Sequence, residues 1–184
     1  MISAAAVAQY CTAALPQSVF AVETGTDFVI YSDDDITVNT HKAVINGNVF
    51  TGDSLSYLGE ETCYINNSLN AGRISGQVVA LTERDSRTVM PDYIDRLNTR
   101  VDYKTAYPGD ALIDAPELDA SGSISAQGSL HIDRTAFTGS GYIKASGDIR
   151  YDAVQNSDDT ELFIASENGD IIFSGAELTF NGVL

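Results

Sequence analysis

Tryptophan is absent from this 184-residue sequence, which also has only four prolines, two cysteines and two histidines. Two cysteines cannot build a disulfide framework. Basic side chains are scarce too: ten Lys and Arg against 26 Asp and Glu give a formal net charge of −16. Such a surface repels phosphate backbones and anionic membranes, which argues against nucleic acid as a partner. Gly-x-Ser-x-Gly, a phosphate-binding loop and His-Glu-x-x-His are all missing, so no catalytic motif is present.

What is present is β-branched and aromatic residues in short runs, punctuated by Gly, Ser, Asn, Asp and Thr. That is the pattern of an all-β chain with many tight turns. The first 22 residues, MISAAAVAQYCTAALPQSVFAV, carry no charge. Val19 and Ala21 fit the small-residue positions of a secretory cleavage site, so residues 1–21 read as a signal peptide lacking its basic start. The mature chain would then begin at Val22 with no membrane span. The apolar run is too short and too interrupted for an anchor. Cys11 lacks a lipoprotein lead, and after cleavage Cys63 is the one thiol left, a small buried hydrophobe.

The two ends of the chain are copies of each other. Ile36, Val38 and Ile45-Asn46-Gly47 match Ile171, Phe173 and Phe180-Asn181-Gly182. Further copies lie between them, marked by Leu55, Ile74, Leu130 and Ile149. Successive markers are 19, 19, 56, 19 and 22 residues apart, and removing one 19-residue unit from the long step leaves 37. A repeat of this length with short strands and turns predicts a single-stranded parallel β-helix, all-β, with rungs of about 19–22 residues. The crossover rule makes it right-handed. Alternation places Ile36/Val38, Leu55/Tyr57, Leu130/Ile132 and Ile149/Tyr151 inward, in stacked apolar columns. Asn46, Asn66 and Asn181 would form an amide ladder at one corner. Gly47, Gly139 and Gly182 stand at or beside that corner, where positive φ is wanted.

The solenoid spans residues 22–184, with an insertion at about 77–117 that holds five of the ten basic residues. Pro91-Asp92 reads as a helix start, and Ile94, Leu97 and Val101 have helical spacing. This helix is expected to brace the stack on its side or at an open edge. A binding loop or lid is the alternative. Leu184 falls where Val49 and Leu69 begin a following rung, and no polar cap is visible. The expectation is therefore a truncated chain with an open C-terminal edge.

Chemistry-bearing residues are sparse. His131 lies between inward Leu130 and Ile132, hence outward, and His41 falls in a polar turn. Ser32-Asp33-Asp34-Asp35 is the densest acidic run, and Asp53, Asp148 and Asp170 recur at similar turns. Stacked carboxylates suit Ca²⁺, but no calcium-loop pattern accompanies them, so they read as solvated turn acids. Thr37, Thr138 and Thr179 make no flat ice-binding array. The expectation is no catalytic, metal or cofactor residues.

FVIYSDDDITVNTHKAVINGNV, the MPDY excursion, GYIKASGDIRY and LFIASENGDIIFSGAELTFNGVL resemble β-solenoid segments of large secreted surface proteins of anaerobic Gram-positive bacteria. More distantly they resemble polymer-forming bactofilin rungs. The resemblance implies a noncatalytic extracellular or cell-surface scaffold or adhesion module, with glycans or proteins as partners. A polysaccharide-binding or polysaccharide-active β-helix is one alternative. A filament built by end-to-end self-association is the other.

Overall fold

The computed structural model describes residues 28–84, 93–152 and 160–182. The expectations for the leader, for Cys11, for the Pro91-Asp92 helix start and for Val183-Leu184 lie outside them. Within them the chain is a parallel β-solenoid of about seven turns. The first stretch holds β1 (Phe28–Ser32), β2 (Ile36–Asn46), β3 (Asn48–Thr51), β4 (Ser54–Tyr57), β5 (Cys63–Asn70), β6 (Arg73–Ser75) and β7 (Val78–Arg84). Helix α1 (Tyr93–Arg100) follows, then β8 (Thr105–Tyr107), β9 (Ala111–Ile113), β10 (Glu117–Asp119), β11 (Ile124–Ala126) and β12 (Leu130–Asp133). The rest is β13 (Ala136–Thr138), β14 (Ser140–Ala145), β15 (Ile149–Asp152), β16 (Glu161–Ser166) and β17 (Ile171–Asn181).

The markers inferred from the repeat stack in register, but not in sequence order. The column runs Ala111, Leu130, Ile149, Ile171, Ile36, Leu55, Ile74. β17 lies on β2 with Ile171 opposite Ile36 and Asn181 opposite Asn46. On the adjoining ladder β1 sits between β16 and β3. The first described strand therefore lies in the middle of the stack, and the chain winds outward from it to β7. It crosses back to the far end at β8, then winds inward until β17 meets β2. At about 4.8 Å per rung, β8 lies roughly 34 Å along the stack from β7.

This order corrects the open-edge expectation. The rung ending at Asn181 is covered by β1 and β2, and Gly182 N–H donates to the Asn46 carbonyl at 2.9 Å. The outermost described strands are instead β6 and β7 at one end and β8, β9 and β10 at the other. The excursion from the solenoid is also shorter than the marker spacing suggests, because residues 78–84 and 105–119 contribute rung strands.

Side-chain alternation builds the core. Ile36, Val38, Leu55, Tyr57, Leu130, Ile132, Ile149 and Tyr151 are all buried, as are Phe173 and Phe180. Asn46 Nδ2 donates to Asn181 Oδ1 at 2.6 Å, and Asn66 Nδ2 donates to Asn46 Oδ1 at 2.7 Å. The expected amide ladder exists, with Asn46 at its centre. Gly47 has φ +149°, and a Cβ at Gly47 or Gly182 would overlap the Val29 side chain. Both glycines thus make room for the strand that enters the stack at the junction.

Helix α1 lies flat across that junction. Ladder residues usually alternate between core and solvent, yet every residue of β1 is buried. Its outward side chains, Phe28 and Tyr31, join Phe50 and Ala165 in a second apolar cluster beneath Tyr93, Ile94 and Leu97. Tyr31 stacks on Phe50 at 4.8 Å, and Phe28 meets Tyr93 edge-on at 5.1 Å. The Tyr93 hydroxyl accepts from Phe28 N–H and donates to the Phe28 carbonyl, both at 3.1 Å. Arg100 donates to the Tyr142 hydroxyl, and Lys144 donates to Asn98. Asp95 in the first turn and Arg100 in the last suit the helix dipole. The helix braces the side of the stack, not an edge.

Removing the clasp should loosen the junction first. Tyr93→Phe loses two buried hydrogen bonds and should cost about 1–3 kcal/mol. Tyr93→Ala should cost about 3–5 kcal/mol through the lost aromatic packing. Amide hydrogen exchange should speed up most at Phe28–Ser32, ahead of β5; uniform acceleration over both would contradict the clasp role.

Candidate functional site

Six of the seven turns before the marker column carry Asp or Ser, and the carboxylates among them bond to the neighbouring rung. Asp110 Oδ1 accepts from Ser129 N–H, Asp148 Oδ1 from Asp170 N–H, Asp170 Oδ1 from Asp35 N–H, and Asp35 Oδ1 from Ser54 N–H. A carboxylate here satisfies a backbone donor that the turn leaves outside the strand ladder. Beside it runs a hydroxyl ladder. Ser166, Ser32 and Thr51 are fully buried, and each donates to a turn carbonyl one rung away, of Gly147, Gly169 and Asp34. Asp148 and Asp170 thus occupy equivalent positions, as the sequence suggests, but Asp53 does not share their column. Its N–H bonds to the Asp34 carbonyl, one position earlier in the turn.

Where the two halves of the chain meet, three acids crowd together. Oxygen atoms of Asp34, Asp35 and Asp170 lie within 4.8 Å of one another. Burial pushes the Asp170 carboxyl above its usual range; the Asp35 N–H opposes this, while the charges of Asp34, Asp35 and Asp148 reinforce it. Asp35 Oδ1 already receives both the N–H and the hydroxyl of Ser54. In the run from Ser32 to Asp35, the Asp35 carboxylate is therefore committed to turn structure, while Asp34 is exposed. Tyr31 donates to Asp33, tying that acid to the aromatic cluster.

A second polar group lies on the outer face of β12, β15 and β17. Asp152 accepts from the Ser174 hydroxyl and lies 3.0 Å from His131 Nε2, with Arg150 at 3.6 Å. The Ser174 hydrogen bond, then that of His131, holds the Asp152 carboxyl below its usual range. The carboxylate stands between serine and histidine, so the hydroxyl proton goes to Asp152 and no imidazole faces the serine oxygen. This is not a nucleophile–base pair. His131 faces outward, as alternation requires. His41 is also exposed, 3.6 Å from Glu60 and 3.4 Å from Glu61, with no link to His131. Cys63 is buried, and burial alone pushes its thiol up to about 12. A thiol held in that state is a packing group.

Sequence reasoning singled out neither Asp110 nor the Asp152–Ser174 pair. Asp110 is legible afterwards: Gly109-Asp110-Ala111 repeats the Gly-Asp-apolar step of Gly147-Asp148-Ile149 and Gly169-Asp170-Ile171. Asp152 and Ser174 left no comparable signal, because their pairing depends on the register of β15 on β17.

Among the described residues no helix is long and apolar enough to cross a membrane. No family model matches this chain, and none of the curated proteins or solved structures compared with it matches either.

The two carboxylates should respond oppositely to pH. Asp152 has a depressed pKa, so its stabilisation is present above the unfolded value near ~3.9 and is lost as pH falls through the folded value. Asp170 has a raised pKa, so its charged form disfavours the fold, and protonation on lowering pH relieves it. Asp152→Asn should lower stability at pH 7 by about 1 kcal/mol. Asp170→Asn should raise it by roughly 0.5 kcal/mol, a screened partly exposed site. Both differences should shrink in melting curves taken near pH ~3. A loss of stability in Asp170→Asn at pH 7 would contradict the crowding argument.

Proposed function

We propose that this chain is a noncatalytic structural module, a stiff solenoid that spaces or displays other elements at an extracellular surface. One observation carries the reading: the groups most able to do chemistry are spent on holding rung to rung. The turn carboxylates accept backbone N–H groups, the buried hydroxyls donate to turn carbonyls, and the corner amides bond one another. A stack tied this way resists bending, because each rung is bonded to the next by backbone ladders and by side chains. The strongly acidic surface supports a soluble role away from anionic partners. The uncharged leader and the resemblance to secreted bacterial surface proteins support the extracellular location.

The alternative from the enzyme class is a polysaccharide-active β-helix, whose carboxylates would be free to act as acid and base. The test is to incubate the purified chain with a panel of acidic and neutral polysaccharides and follow unsaturated products and new reducing ends. The scaffold reading expects no product above buffer. Product formation that disappears in Asp152→Asn or His131→Ala would overturn it.

A further inference from the structure

Among the described residues the core of the stack is covered along its sides and uncovered at its two ends. Ile74, Val78 and Ala80 at one end, and Ala111, Tyr107 and Leu118 at the other, are only partly buried against it. Among the described strands β6 and β7 pair on one side alone, and so do β8, β9 and β10. Each end therefore presents a row of backbone donors and acceptors around an apolar centre. Such an edge is a template for another strand.

The two ends differ in charge at matching positions. Along the turn column the polar residues are Asp110, Ser129, Asp148, Asp170, Asp35 and Ser54, and the last place belongs to Arg73. Arg73 is exposed at one end and Asp110 at the other. The ladders also close with matched polar groups. Glu83 continues the inward column of Leu69, and Thr105 that of Ile124, so a hydroxyl donor would face a carboxylate.

We propose that a second copy of this chain stacks end-on, β6 and β7 of one copy against β8 and β9 of the next, with Arg73 beside Asp110 and Ile74 on Ala111. This rests on the scaffold reading and extends it, because a rod that lengthens by stacking remains a scaffold. The interface is heterologous, so each added copy leaves the same free ends and the assembly grows as a filament. It continues the existing rung spacing and extends the marker column through Ile74 and Ala111, while the Leu69 column closes as Glu83 against Thr105.

Sedimentation velocity of the chain over a range of concentrations tests the association. The expected result is a sedimentation coefficient that rises with concentration, weakened about tenfold by Arg73→Glu with an unchanged melting temperature. Register is tested with cysteines. Ser75 and Leu112 lie at the two ends of one outward column, about 29 Å apart within a copy at the usual rung spacing. In a Cys11→Ser background, Ser75→Cys with Leu112→Cys should give a ladder of disulfide-linked multimers on mild oxidation, while either single variant gives at most dimers.

A monomer at all concentrations would overturn the proposal. Association that ignores Arg73→Glu and gives no multimer ladder would overturn it too. Either outcome leaves the polysaccharide assay, and with it the scaffold reading, untouched.

Discussion

The pairing of β17 with β2 holds this structure together. It brings the chain's first described rung onto its last, over a register running from Ile171–Ile36 to Asn181–Asn46. Two windings made of distant sequence become one solenoid through it. Every other feature of the junction depends on that contact: the Asn181–Asn46 bond, the Asp170–Asp35 bond, and the space cleared by Gly47 and Gly182 for Val29. Without it, each half would expose a full apolar cross-section to water. Burying that surface is the main driving force for the halves to meet.

Helix α1 acts on the same contact from outside. The return crossing has to pass the whole length of the stack, and the chain uses it to cover the outer faces of Phe28, Tyr31 and Phe50. Those side chains give the junction a second apolar layer. The acids pull the other way. Asp148, Asp170 and Asp35 occupy three successive places in the turn column, flanked by Ser129 and Ser54, and Asp170 bears the electrostatic cost. The polar side chains of the turn columns mostly hold the stack in register.

Much of the fold was legible because a solenoid repeats its constraints. The 19-residue spacing placed Ile36, Leu55, Ile74, Leu130, Ile149 and Ile171 correctly in one column, and the corner asparagines bonded as their recurrence implied. Sequence order misled about neighbours: Ile74 does not stack toward Leu130, because spacing along a chain cannot reveal where the winding restarts. The close identity of the two ends was the available clue, since like rungs stack well and Asn181 needed Asn46 as partner. Ala111 escaped notice because its small side chain weakened the apolar signal. The bracing helix was legible in the spacing of Ile94, Leu97 and Val101, but its seat was not, because the outward facing of Phe28 and Tyr31 depends on the register shift within β1. The polar group at Asp152 needed three-dimensional register and had no sequence signature.

The stacking order can be tested directly by cysteine pairing within one molecule. Thr37 and Ile172 are opposed on the outer face of the junction ladder. With Cys11→Ser, the double variant Thr37→Cys and Ile172→Cys should form an intrachain disulfide in dilute monomer. The pair Ser75→Cys and His131→Cys, adjacent only if rungs stacked in sequence order, should not. Closure of the second pair and failure of the first would contradict the account.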